Sequence, residues 1–495
     1  MNFMRIKEII WGTCICSLLF ACKKDNNKYN YSNVNELNIT GPKEEILVVQ
    51  RDTIRVNPVI TESQSGSGPY TYKWEIYRSK DLNSWEITPI NPATTSTVLS
   101  TEKNLKVPAL AAPGTYLLQY TITDTKTTLR QSVRYPLTIN GKYYEGWLVM
   151  ADKAGKTELS FVRQDGTVFP DVIGISNPGL SLSGKPLAAF SGIQSKLEDV
   201  NVFTDQGMYR FSANDFAFTG KSPDLFEKPI NPVVNPAYAV NSVNFDQYVV
   251  SNGNVYGTLA PNQGIAKYSE RFNGPAGYSV FPYFMSGNQF WTLFYDNIGK
   301  RFLHATYTSR SFSTFPANTE TGIAFDMSNV GKTMIGGDRG PNTEYFLVMK
   351  DASAYYLCSV LPNNKKPAGV MDKMDAAPEI DKAVLFAASE VNKQLYYAVA
   401  NKIYLYDVLA KTARLVYTFP ANQQIKDLKM FKGQEWGKSN PLYNTRLVVA
   451  TYNGAEGELY YLDLLPIGDV ANGTYSKKFG GFGNILQINY RNPNL

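Results

Sequence analysis

The chain has 495 residues, 43% of them hydrophobic and 19% charged, with a formal net charge of +6. That length allows two or three packed domains. The small positive surplus, with no block of five or more basic residues, argues against a nucleic-acid-binding surface. A single histidine, His304 in the strand-like "KRFLHATY", disfavours a His-rich metal centre and leaves one candidate for Ser-His or Cys-His catalysis. Neither a metal nor a cofactor is expected.

Residues 1–21 read as a secretory leader. Arg5 and Lys7 precede an apolar run from Ile9 to Phe20, which is shorter than the ~20 residues a bilayer span needs. The run ends at Leu19-Phe20-Ala21-Cys22, an order that resembles the lipobox of bacterial lipoproteins, in which the cysteine is acylated and becomes the first mature residue. The resemblance implies lipidation at Cys22, with each buried CH2 of the lipid contributing about 0.8 kcal/mol to membrane attachment. Residues 22–36 are polar, rich in Asn and Lys, and read as a solvated tether. Lys23-Lys24-Asp25 resembles export signals that send lipoproteins to the cell surface in Bacteroidetes. Cys14 and Cys16 belong to the leader, so Cys358 is left alone and no intramolecular disulfide is expected. In "AYYLCSVL" it reads as a buried core thiol.

From residue 37 to 140, short runs such as "DTIRVNPVI", "YTYKWEIYR", "YLLQYTIT" and "SVRYPLTI" alternate β-branched and aromatic residues with polar ones. Turn chemistry in "SQSGSGP" and "AAPGT" separates them. The pattern predicts one β-sandwich. Trp74 sits where an immunoglobulin-like strand C keeps its core tryptophan. "PGTYLLQYTITD" resembles the late-strand signature of polycystic-kidney-disease (PKD) type domains, without their acidic glycine-rich turn.

From Lys142 onward, a strand, a tight polar turn and a second strand recur seven times, from "GWLVMADKAGKTELSFV" to "RLVVATYNGAEGELYYLDL". Marker residues Leu159, Met208, Val255, Phe302, Tyr355, Ile403 and Leu459 are spaced by 47 to 56 residues, averaging 50. Hairpins at that period predict a seven-bladed β-propeller over 142–495. The first hairpin lacks a preceding apolar strand, and the C-terminal "FGNILQINY" has no local partner. The expectation is that this last strand returns to close the ring.

Catalytic motifs are scarce. "GKT" at Gly155–Thr157 and Gly331–Thr333 lacks the upstream glycine of a phosphate-binding loop, with Met150 and Asp326 in its place. "MIGGDRGPN" (334–342) reads as part of a long loop between the first two strands of blade five. Segments leading into the inner strands place Tyr278, Tyr283, Asp381 and Asp427 as candidates at one mouth of the ring. The long irregular stretches 335–344 and 431–445 place Arg339 and Trp436 on the opposite face, residue types common as binding anchors. Asp326, Asp338, Asp381 and Asp427 are the carboxylates open to a glycosidase pair, which needs two at about 5–5.5 or 6.5–9.5 Å. No arginine triad or aspartate box of the sialidase kind accompanies them.

Taken together, lipobox, PKD-like sandwich and propeller resemble the PKD-like family lipoproteins of Bacteroidetes. That resemblance implies an outer-membrane, surface-exposed accessory encoded beside nutrient transporters, which captures a glycan or peptide for uptake without cleaving it. It carries over no catalytic residue. A propeller-type polysaccharide hydrolase or lyase and a protein-interaction scaffold of the uptake complex are the alternatives.

Overall fold

The computed structural model describes residues 35–64, 68–78, 95–194, 197–240, 246–258, 267–286, 291–433 and 440–492. The leader, Cys22, most of the tether and Trp436 lie outside these residues. The described chain is all-β, with helix confined to Val172–Ser176 and a few single turns. Among the described residues no helix is long and apolar enough to cross a membrane. The chain divides into two compact units, Met1–Asn140 and Gly141–Leu495.

In the first unit the main sheet orders Ile46–Val49, Arg130–Asn140, Gly114–Asp124, Tyr70–Arg78 and Thr97–Ser100. Ile46–Val49 runs parallel to its neighbour and the other pairs are antiparallel. Two-stranded pairs, Leu37–Thr40 with Val59–Glu62 and Thr53–Val56 with Leu105–Pro108, complete the β-structure. Alternation puts Trp74, Ile76, Leu118, Tyr120, Ile122 and Leu137 on one face, where they pack with Ile54, Val56 and Leu105. Trp74 is fully buried. Its ring stacks on Tyr120 at 4.2 Å, and its indole N–H donates to the Glu102 carbonyl at 3.0 Å, which satisfies the polar edge a buried Trp carries.

Among the described residues the second unit holds seven small antiparallel sheets, numbered here in chain order, a propeller-like construction. Sheet 2 begins at Pro186–Gln194, sheet 3 at Ala237–Val240, sheet 4 at Met285–Ser286, sheet 5 at Thr333–Arg339, sheet 6 at Leu385–Ala388 and sheet 7 at Gln424–Met430. Sheet 1 is different. Its leading strand is the C-terminal Asn484–Arg491, paired antiparallel with Gly146–Lys153 so that Trp147 faces Tyr490.

Why these strands read as nearly continuous apolar runs follows from what covers them. Leu148 and Met150 pack against Val200 and Val202 of sheet 2, while Trp147 and Val149 pack against Val448 and Ala450 of sheet 7. Phe294 faces sheet 3, and Leu293 and Tyr295 face sheet 5. A strand buried on both faces needs apolar residues at every position. Each of seven such clusters joins two sheets that follow each other, with sheet 7 joined to sheet 1.

The leading strands are tied sideways by polar side chains. Gln487 and Asn489 accept from the Ala189 and Ser191 amides at 2.8 and 2.9 Å. Asp338 accepts from the Ala388 amide at 2.7 Å, and Asp427 from the Ile488 amide at 2.9 Å. An unpaired buried amide would cost about 1–3 kcal/mol, so each tie matters.

One expected loop is a strand. Residues 334–339 of the "MIGGDRGPN" stretch belong to Thr333–Arg339, and only the residues after Arg339 turn away. The glycines mark close packing. A Cβ at Gly336 would collide with the Phe386 ring, and one at Gly337 would come within 2.6 Å of the Phe346 carbonyl oxygen.

Candidate functional site

The two-residue turn Asn252-Gly253 joins Gln247–Ser251 to Asn254–Thr258, with φ of 49° and 72°. Two positive φ values in a two-residue hairpin are the type I′ geometry that Asn-Gly favours. The turn is pinned on both sides. Asn252 donates its amide to the Val234 carbonyl at 2.8 Å, and Val280 donates to the Gly253 carbonyl at 2.9 Å. In sheet 4, Asp296 accepts from the Ser279 amide at 3.0 Å, and Asn297 donates to the Ser279 carbonyl at 2.8 Å. The Asn297 side chain reaches on to sheet 5, exchanging bonds of 3.1 and 2.9 Å with the Met334 backbone.

These turns enclose a groove of about 330 Å³, lined by Asn235, Asn252, Ser279, Phe281, Pro282 and Asn297 among others. Asn235 and Asn252 are exposed and Phe281 is half-buried. A side-chain amide offers an acceptor and two donors, a match for neighbouring sugar hydroxyls. Phe281 adds an apolar surface. None of the lining residues is titratable. The adjacent Asp296 is fully buried and also accepts from Arg301 at 3.3 Å and the Ile298 amide at 3.1 Å.

Tyr278, expected at the mouth, faces inward. It is 5% exposed, packs edge-on to Phe312, and donates its hydroxyl to the Phe272 carbonyl at 2.9 Å. The Arg271 guanidinium lies 4.2 Å from the centre of its ring. Asp427, also expected there, is 3% exposed. Its oxygens are taken by the Ile488 and Leu428 amides and by Lys429 at 3.2 Å. Both residues serve packing because a buried polar group must find its partners inside the fold. Asp381 is exposed in the turn Ile380–Lys382.

Tyr283 and Arg339, expected on opposite faces, are within electrostatic reach of each other. Burial holds the Tyr283 phenol well above the ordinary tyrosine range, the negative charges of Asp338 and Glu390 raise it further, and Arg339 partly offsets them. Arg339 pairs with Glu390 at 3.4 Å. Lys432 reaches Asp338 at 2.8 Å and the Arg339 carbonyl at 2.6 Å. Glu390 donates its backbone amide to Asn444 at 2.8 Å. Opposite charges matched one to one across sheets 5, 6 and 7 make this cluster a brace.

Three of the four carboxylates considered for glycoside cleavage are engaged in the same way, Asp381 being exposed. Asp326 accepts from the Ser328 amide at 2.8 Å and the Asn318 amide at 3.2 Å, bonds that hold its carboxyl below the usual range. Asp338 and Asp427 hold neighbouring strands. Among the described residues no group of three His, Cys, Asp or Glu is placed to hold a metal ion.

The PKD-like family matches residues 22–186, a third of the chain, covering the first unit from residue 22 and the opening strands of the second. No curated protein matches the sequence. Among solved structures, a quinonprotein alcohol dehydrogenase-like protein from Bacteroides thetaiotaomicron aligns over 91% of this chain and 97% of its own, with 12% identity and a TM-score of 0.46. The extracellular domain of a putative one-component system from the same organism aligns over 88% and 66%, with 8% identity and a TM-score of 0.41. At such identities neither likeness bears on activity.

Proposed function

We propose that this chain is a surface lipoprotein that captures a neutral glycan without cleaving it. In this reading residues 1–21 are removed, Cys22 carries the lipid, residues 22–36 are the tether, and residues 37–140 form an immunoglobulin/PKD-like spacer. Residues 142–495 form a seven-bladed propeller closed by Asn484–Arg491. The seven intersheet clusters and the pairing of the last strand with Gly146–Lys153 support the ring. The anchor and the outer-membrane setting rest on the lipobox and on the resemblance to nutrient-uptake accessories.

The observation that carries the function is the groove beside the Asn252-Gly253 turn. Amides, the Ser279 hydroxyl and an aromatic ring line it, and none of the lining residues is a carboxylate, histidine, lysine or cysteine. Such a surface can hold sugar hydroxyls, but its lining offers no carboxylate pair and no titratable acid or base. The test is a retention and turnover screen of the chain from Lys23 onward against neutral polysaccharides. Retention of at least one polymer with its length unchanged is expected. Shortened products would make the protein a hydrolase or lyase. Failure to retain any of them would leave the scaffold reading in front.

A further inference from the structure

The first unit carries its own polar groove, lined by its own residues. It has a volume of about 540 Å³ and lies over the face of the main sheet opposite Trp74. Strand pairing arranges this face in rows. Thr71 stands opposite Thr123, which stands opposite Arg130; the next row is Lys73, Thr121 and Ser132; the next is Glu75, Gln119 and Arg134.

Two features separate this face from an ordinary solvated sheet. The first is depth: Thr121 and Glu75 are only 8% and 6% exposed although both are polar. The second is charge, because Lys73 is matched by Glu75 while Arg130 adds a cation to this face that no described carboxylate answers. Glu75 is already held by Lys73 at 3.0 Å and by the Ser96 hydroxyl at 2.9 Å. Arg134 donates to Gln119 at 3.1 Å, and the Thr121 and Ser132 hydroxyls lie 3.0 Å apart. Arg130 is exposed, and no carboxylate among the described residues pairs with it.

We propose that this face is a second binding site, for an anionic polysaccharide such as a uronate polymer. Arg130 would take a sugar carboxylate through its planar fork, while Thr71, Thr121, Thr123, Ser132 and Gln119 offer hydrogen bonds to ring hydroxyls. Strand spacing and rise put Lys73 and Arg130 roughly 12 Å apart, so the two cations span more than one sugar. A neutral chain would leave the Arg130 charge unanswered.

The test is affinity electrophoresis of the chain from Lys23 onward in gels containing polygalacturonate, with a neutral polysaccharide in parallel. Wild type is expected to be retarded by polygalacturonate, and added salt is expected to weaken the effect. Arg130→Gln should weaken retardation about tenfold, the scale of one lost charge-assisted bond. Ser132→Ala, also at an exposed position, should weaken it less. Asn252→Ala, in the groove of the second unit, should leave it unchanged, so this site and the neutral-glycan site fail separately. Unaltered melting of Arg130→Gln would exclude misfolding as the cause. Wild type that is not retarded, or Arg130→Gln retarded like wild type, overturns the proposal.

Discussion

Glu458 illustrates how a single side chain couples this fold to pH. Burial works against its charge, yet bonds from Lys478 at 2.8 Å, from the Tyr460 hydroxyl at 2.7 Å and from Gln423 outweigh it, and its carboxyl titrates below the ordinary range. A carboxyl depressed in the folded state stabilises fully above its unfolded value, about 4.3 for Glu, and loses that contribution as pH falls through the lower folded value. Glu458→Gln should therefore lower stability by about 1–2 kcal/mol at pH 7. In thermal melts the gap to wild type should narrow as pH drops below 4.3; a constant gap would contradict the account. At this scale the sequence offered residue types but not their direction. Tyr278 and Tyr283 are five residues apart in one segment, yet one is sunk in the core between sheets 3 and 4 and the other packs against the core between sheets 4 and 5, edge-on to Tyr345. Phe281 between them, not singled out from the sequence, lines the groove. Its only signal was its place in "NGPAGYSVFPYF", the segment leading into sheet 4.

Turns, at the scale of the element, were more legible than side chains. "SNGN" announces a type I′ hairpin because Asn-Gly tolerates two positive φ values in succession, and the structure has that turn at Asn252-Gly253. "IGGDRG" misled for a related reason. Glycines suggest a loop, but here they let strand Thr333–Arg339 approach Phe386 and the Phe346 carbonyl. Gly253 is required twice over, by its φ of 72° and because a Cβ there would collide with the Ser279 hydroxyl. Gly253→Ala should cost about 1–2 kcal/mol from the left-handed backbone alone. It should also displace the turn from Ser279 and weaken neutral-glycan binding. Melting and binding measured on one preparation check this, and a variant unchanged in both would contradict it.

For the whole molecule, the 50-residue repeat and the unpartnered "FGNILQINY" were readable because hairpin chemistry recurs and each apolar strand needs a neighbour. The groove was not readable, since it gathers Asn235, Asn252, Ser279 and Asn297 from turns that meet only in the fold. The last strand deserves the same scrutiny as the site. Ending the chain at Gly483 removes Ile485 and Ile488 from the cluster between sheets 7 and 1 and deprives Asp427 of its Ile488 partner. Each isoleucine contributes about 1.5–3 kcal/mol by burial. The truncated chain should lose the calorimetric transition of its second unit, and an unchanged transition would argue against a closed ring. The most direct test of the central claim is titration calorimetry of the chain from Lys23 onward with oligosaccharides of whichever neutral polymer it retains. The account predicts that Asn252→Ala and Phe281→Ala each weaken binding about tenfold, or 1.4 kcal/mol, while Arg130→Gln binds like wild type. Full affinity in both groove variants would contradict it.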